Sequence, residues 1–150
     1  MLRWYRTALV VCSITLGAGA HPGAQAGKTF KARLSPVPID VTMQATVSGS
    51  GSATAVLSGT KLTMTGAFDG LRSPVTIAQV HKSPMPGVRG PVVFDLKPSA
   101  GTSGTLTASL DLTPAQITDL EKGRLYIQVH SENAPEGNLW GWLFPAEAKR

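Results

Sequence analysis

The chain has 150 residues, with 14 lysines and arginines against 9 aspartates and glutamates, a formal net charge of +5 and a single cysteine, Cys12. This charge excess is mild and the basic residues are scattered, which excludes the basic, aromatic-studded surface of a nucleic-acid-binding protein. One cysteine also excludes an intramolecular disulfide and a zinc site built from several thiolates. We therefore expect a single domain stabilised by packing alone.

The first twenty residues have the features of a secretory signal peptide. Arg3 and Arg6 precede a short apolar stretch, and Ala18-Gly19-Ala20 fits a small-residue cleavage site. A helix that spans a membrane needs about 20 apolar residues, and this apolar stretch is shorter. We predict a signal peptide over residues 1–20, with an alternative cleavage after Ala26. The mature chain is then secreted or periplasmic, without a membrane span.

Apolar and polar residues alternate along most of the remaining chain, which is the pattern of half-buried antiparallel strands. In chain order, strands are predicted at 29–34, 41–47, 52–57, 62–68, 75–81, 91–96, 105–110, 124–130 and 138–144. Turn sequences rich in Gly, Ser and Pro separate them. The pattern predicts an all-β fold, an antiparallel sandwich or barrel-like domain of about eight or nine strands. It covers residues 27–146 and is followed by a tail at 147–150.

One short helix interrupts the strand pattern. Thr113 is a good N-cap residue, Pro114 suits the first helical position, and Gln116 completes a capping box. Gly123 follows as a stop signal. These residues predict a helix that begins after Thr113 and ends before Gly123.

The tripeptide Gln-Val-His occurs twice, at 79–81 and 128–130, each time at the end of a predicted strand and before a Pro/Gly-rich loop. About thirty residues before each copy lie two similar segments, 51–57 and 104–110. This internal repeat predicts two related halves. Because side chains alternate across a strand, each Gln and His point to one face and each Val to the other.

The repeated face offers binding residues, namely Gln79, His81, Gln128 and His130. Neutral imidazoles suit copper or zinc, and the further ligands that lie near them in the sequence are Met85, Glu132 and Glu136. The alternative is structural. A histidine at a strand end can equally hydrogen-bond nearby carbonyls and hold loops against the sheet.

Trp140 is a further candidate, because it shares a strand face with Trp142 and forms with Phe144 an aromatic set that suits a carbohydrate or protein ligand. Packing in the core is the alternative. Enzymatic activity is not expected, since the chain has no Gly-x-Ser-x-Gly elbow and loses Cys12 with the signal peptide. A dismutase-type copper–zinc centre needs more histidines than the three present, of which His21 is near the mature N-terminus.

Many ordered landmarks resemble the CHRD domain, a module first described in chordin and common in secreted bacterial proteins. Those in the first half are Phe30 to Leu34, Gly66 to Leu71, Ala78 to His81 and Gly90 to Val93. Those in the second half are Leu112 to Pro114, Leu120 to Tyr126, Val129 to Ser131 and Pro135 to Leu143. The resemblance covers nearly the whole mature chain.

The resemblance implies an extracytoplasmic β domain. We expect it to act as a binding or structural module, with an unknown protein or extracellular ligand as its partner and no cofactor. The alternative is a periplasmic copper- or zinc-binding protein that uses His81 and His130. Two departures bear on function. Gln79 stands where the family usually has a histidine, and Asn138 and Trp140 replace a glutamate and an arginine.

Overall fold

The computed structural model describes residues 27–146, so the predicted signal peptide and the tail at 147–150 lie outside the described residues. Nine strands and one helix are found within this range. They are β1 (Lys28–Pro36), β2 (Ser50–Ser58), β3 (Lys61–Asp69), β4 (Val75–Lys82), β5 (Val92–Pro98), β6 (Gly104–Asp111), α1 (Pro114–Glu121), β7 (Leu125–Ser131), β8 (Ala134–Trp142) and β9 (Phe144–Pro145).

Eight of the strands form a closed antiparallel barrel. The strand order is β2-β3-β6-β5-β4-β7-β8-β1, and β1 also pairs with β2, which closes the sheet on itself. The short β9 adds to β1 through Phe30 and Lys31. The prediction of an all-β, barrel-like fold with one short helix is confirmed.

The predicted strand at 41–47 is wrong, because this segment is a series of turns. The carboxylate of Asp40 accepts hydrogen bonds from the backbone N–H groups of Thr42 and Met43, at 2.8 and 3.0 Å, and from the Thr42 hydroxyl. The Thr42 hydroxyl and these N–H groups hold the pKa of Asp40 below its usual value. An aspartate that binds its own following backbone favours a turn over a strand. The side chain of Val41 is accordingly exposed.

The barrel interior is a single apolar cluster to which every long strand contributes. Its fully enclosed side chains include Leu34, Leu62, Leu106, Ile127 and Leu139. The valines of both Gln-Val-His copies, Val80 and Val129, are also completely buried in it. This confirms that the two tripeptides direct valine inward and their polar residues outward.

The helix α1 begins as predicted. The Thr113 hydroxyl accepts from the Gln116 N–H at 3.3 Å, and the Gln116 side chain accepts from the Thr113 N–H at 2.8 Å. Leu120 enters the core, and the buried carboxylate of Asp119 pairs with Lys82 at 2.7 Å, which ties the helix to the end of β4. Within residues 27–146, no helix has the length and apolar character required to cross a membrane.

Candidate functional site

The pairing of β4 with β7 places the two Gln-Val-His copies side by side. Gln79 lies opposite Gln128, and His81 lies opposite Tyr126. The valines occupy the core face, so these polar side chains lie on the outer face of the barrel. The predicted shared face of the four polar residues is confirmed. Two related halves as such stay a prediction.

The next strand, β8, adds two indoles to this face. Trp140 lies opposite Gln128, and Trp142 lies opposite Tyr126. The loop expected after His130 is instead a tight hairpin, because β8 already begins at Ala134 and includes the Pro and Gly residues that favoured a loop. Sequence reasoning also missed Tyr126, although the alternation that places Gln128 on this face places Tyr126 there too.

The two histidine rings lean toward each other across this face. His130 is four residues beyond Tyr126, the partner of His81, which corresponds to about 13 Å along the sheet. The ring centroids of His81 and His130 are nevertheless only 6.4 Å apart. Gln128 is the residue of the same face between these two positions. The side chains therefore converge over Gln128.

Backbone carbonyls fix the tautomer of both rings. The Nδ1 of His81 is 2.9 Å from the carbonyl oxygen of Gly90, and the Nδ1 of His130 is 2.7 Å from that of Pro135. A carbonyl oxygen only accepts, so each Nδ1 carries a proton and each neutral ring keeps its Nε2 lone pair. The predicted hydrogen bonding of both histidines to nearby carbonyls is confirmed. A donor bond of this kind is also the usual support of a metal-binding histidine.

Burial lowers the pKa of His81, since the charged imidazolium is poorly solvated there. Repulsion from His130 and Arg89 acts in the same direction, and the hydrogen bond to the Gly90 carbonyl opposes it. Both imidazoles are at least nine-tenths buried. The arrangement therefore favours a neutral His81 with a free lone pair at neutral pH.

Three buried acceptor atoms on this face have no hydrogen-bond partner among residues 27–146. They are the Nε2 atoms of His81 and His130 and the Oε1 atom of Gln128. The orientation of the Gln128 amide is set by its Nε2, which donates to the carbonyl of Glu136 at 2.9 Å. Gln79 does not join them, because it donates to Asp95 at 2.8 Å. Trp142, on the same face, adds a buried N–H donor at its Nε1 atom that also has no partner among these residues. The described face thus holds three unpartnered acceptors and one unpartnered donor.

Aromatic rings flank this set of three acceptors, which we call the acceptor cluster. Tyr126 stacks on His81, and Trp142 stacks on Tyr126, both with ring centroids 4.9 Å apart. Trp140 meets Tyr126 edge-on at 6.2 Å, and Arg89 lies over the Trp140 ring at 5.9 Å. Arg89 also donates to the carbonyl of Glu136 at 2.6 Å. This bond attaches the loop between β4 and β5, which contains Arg89, to β8.

Trp140 lies on the outer face and also contributes to packing. It is half-buried and packs against a small second core of Val37, Val47 and Ala134. This core forms where the turn segment, residues 41–47, crosses β8. Asn138, one of the departures from the family pattern, fixes the same crossing. It is fully buried and exchanges two hydrogen bonds with the backbone of Ser48, at 2.8 and 3.3 Å.

The other candidate metal ligands lie outside the acceptor cluster. The side chains of Met85, Glu132 and Glu136 are exposed. Between Gly27 and Ala146, no group of three or more His, Cys, Asp or Glu side chains is arranged to hold a metal ion. Glu132 and Glu136 therefore do not complete a carboxylate-containing site with the two histidines.

These features define a small closed β-barrel domain with a polar and aromatic cluster on its outer face. The sequence model of the CHRD domain matches residues 30–143, and the chain therefore belongs to the CHRD domain family. The match spans more than half of the chain and agrees with the resemblance drawn from its landmarks. Comparison with curated proteins and with solved structures gave no match. Family membership points to a binding or structural module.

Proposed function

We propose that this protein is an extracytoplasmic binding module, that it is not an enzyme, and that its binding site is the acceptor cluster. The proposal of export rests on the composition of residues 1–20, with its basic start, apolar stretch and small-residue cleavage site. Family membership supports a binding role.

The unpartnered acceptors carry the proposal. Buried polar atoms are almost always hydrogen-bonded, and a buried acceptor without a donor costs about 1–3 kcal/mol. Three such atoms, from His81, His130 and Gln128, converge on one side of the barrel. A ligand that satisfies them brings either positive charge or several hydrogen-bond donors.

The tautomers of the histidines support a non-enzymatic role. In a Ser-His-Asp arrangement the base is oriented by a carboxylate at Nδ1 and faces a nucleophile at Nε2. His81 and His130 instead donate to the carbonyls of Gly90 and Pro135. No hydroxyl within residues 27–146 hydrogen-bonds to the Nε2 atom of either ring.

Copper or zinc binding is the second candidate function, and one observation favours it. Two neutral imidazoles with the same tautomer, each supported at Nδ1 by a carbonyl, present their Nε2 lone pairs within one buried cluster. This is how proteins present histidine to a metal ion. A cation between the rings would satisfy both Nε2 atoms.

Two experiments test these proposals. Mass spectrometry of protein exported from a bacterial host should find an N-terminus at His21 or Gly27, whereas intact Met1 in the membrane fraction would contradict export. Titration calorimetry with Cu(II) and Zn(II) at neutral pH tests the metal candidate. Binding weaker than about 10 μM would remove it and leave a module for donor-rich organic or protein ligands.

A further inference from the structure

We propose that His81 and His130 bind one monovalent copper-group ion, physiologically Cu(I), in line between their Nε2 atoms. This proposal rests on the second candidate function and names the ion. It follows from three properties of the acceptor cluster, which are the separation of its rings, its charge and its surroundings.

The separation of the rings fits two ligands on opposite sides of one ion. With metal–nitrogen bonds of about 2.0 Å and about 1.1 Å from nitrogen to ring centroid, two imidazoles in line have centroids about 6.2 Å apart, against about 5 Å at a tetrahedral angle. The centroids of His81 and His130 are 6.4 Å apart. Linear two-coordination is a stable geometry for the closed-shell ions Cu(I) and Ag(I), whereas Zn(II) takes four ligands.

The charge of the cluster favours a monovalent ion. Its three lone-pair donors carry no negative charge, and the cationic Arg89 lies over the neighbouring Trp140 ring. The cost of removing an ion from water rises with the square of its charge, so a divalent ion needs carboxylates or thiolates as compensation. Glu132 and Glu136 are exposed and do not supply it.

The surroundings also favour the reduced ion. Tyr126 stacks on His81 and Trp142 stacks on Tyr126, so aromatic rings and not further nitrogen or oxygen ligands lie beside this imidazole. Cu(II) prefers a tetragonal set of nitrogen and oxygen ligands. The Oε1 atom of Gln128 is the one oxygen among the three unpartnered acceptors. Two imidazoles without a carboxylate beside them are enough for two-coordinate Cu(I), but they leave Cu(II) short of its tetragonal set.

The test uses protein purified after export, under anaerobic conditions. Cu(I) is titrated in competition with a chromogenic Cu(I) chelator, and Ag(I) serves as a redox-inert probe in thermal melting. We expect one ion per chain, an increase in Tm, and a loss of affinity of about 100-fold or more in His81→Gln and in His130→Gln. Zn(II) should bind about 100-fold more weakly than Ag(I).

Three matched variants control this experiment. His21→Ala removes the remaining histidine, Met85→Leu removes the thioether of the loop, and Glu132→Gln removes the nearest carboxylate in sequence. Each should retain the wild-type affinity for Ag(I). Loss of binding in any of them would assign the ion to another set of ligands and overturn the proposal.

The X-ray absorption edge of the Cu(I)-loaded wild type gives an independent readout, because two-coordinate Cu(I) has an intense pre-edge feature. A weak feature typical of three or four ligands overturns the linear site even if a histidine variant fails to fold. Zn(II) or Cu(II) binding that exceeds Ag(I) binding and requires both histidines overturns the choice of ion but retains metal binding. Failure of all four ions to bind more tightly than about 10 μM overturns both proposals.

Discussion

Asn138 and Ser48 are 90 residues apart in sequence, and each donates a hydrogen bond to the other. The Asn138 Nδ2 group donates to the Ser48 carbonyl at 2.8 Å, and the Ser48 N–H donates to Asn138 Oδ1 at 3.3 Å. Asn138 is completely buried. This exchange attaches the end of the turn segment to β8, next to the acceptor cluster.

Asn138→Ala should therefore destabilise the domain by about 2–3 kcal/mol, since it removes two hydrogen bonds and leaves backbone groups of Ser48 without partners. Urea unfolding measures the loss. Ser48→Ala is the matched control, because it keeps both backbone bonds and removes only the hydroxyl that donates to Gly70 at 2.7 Å. It should cost less than about 1 kcal/mol. Equal effects of the two substitutions would contradict the assigned role of the amide.

The N-cap of α1 supports a second prediction. Thr113→Ala should lower the free energy of unfolding by about 1 kcal/mol, because it leaves the Gln116 N–H without its acceptor. Thr118→Ala is the control, since its hydroxyl donates to the Pro114 carbonyl within the helix at 3.0 Å and caps no free N–H group. This control should change stability by at most about 0.5 kcal/mol. An unchanged melting temperature in Thr113→Ala would show that the cap contributes nothing.

Two glycines with almost the same backbone conformation allow a third, paired prediction. Gly123 has φ +65° and Gly59 has φ +61°, so an alanine at either position is strained by about 1–2 kcal/mol. A Cβ added at Gly123 lies 2.7 Å from the ring of Phe144, whereas one added at Gly59 meets no atom within 4 Å. Gly123→Ala should be the more destabilising of the two in urea unfolding. A larger loss at Gly59 would contradict the contact with Phe144.

The strands were predictable where one face is buried and the other is exposed. In β3, Leu62, Met64 and Phe68 are buried between exposed neighbours, and this alternation is visible directly in the sequence. The segment from Val41 to Val47 has the same alternation. There the local hydrogen bonds of Asp40 decide the conformation, and the apolar pattern does not report them.

The site was predictable only in part. Alternation placed His81 and His130 on one face, because that follows from the backbone alone. It did not predict that the rings lean together, since each ring is held by a carbonyl that the alternation does not report: that of Gly90, in the loop between β4 and β5, and that of Pro135, in β8. The start of β8 was missed because Pro135 and Gly137 favour loops, although a strand in a hairpin accommodates both here.

The position of His81 leads to a last prediction, on the pH dependence of the metal-free protein. The folded-state pKa of His81 is lowered by burial, while the unfolded chain titrates near the ordinary value of about 6.5. Below that value the unfolded chain binds more protons than the folded one, so stability falls as the pH decreases, until the folded His81 is protonated as well. Above it, both states are neutral and the effect vanishes. The facing charges are those of His130 and Arg89, and both disfavour protonation.

We therefore expect the free energy of unfolding, measured in urea with a chelator present, to decrease between pH 7.5 and pH 5.5. A single proton limits the slope to about 1.4 kcal/mol per pH unit. His81→Gln should lose stability at pH 7.5, because the hydrogen bond of the ring to Gly90 is removed, yet it should change less with pH than the wild type. Carboxylates titrate mainly below this range. A wild type that gains stability on acidification, or a variant with the same slope, would show that His81 is not held neutral by the fold.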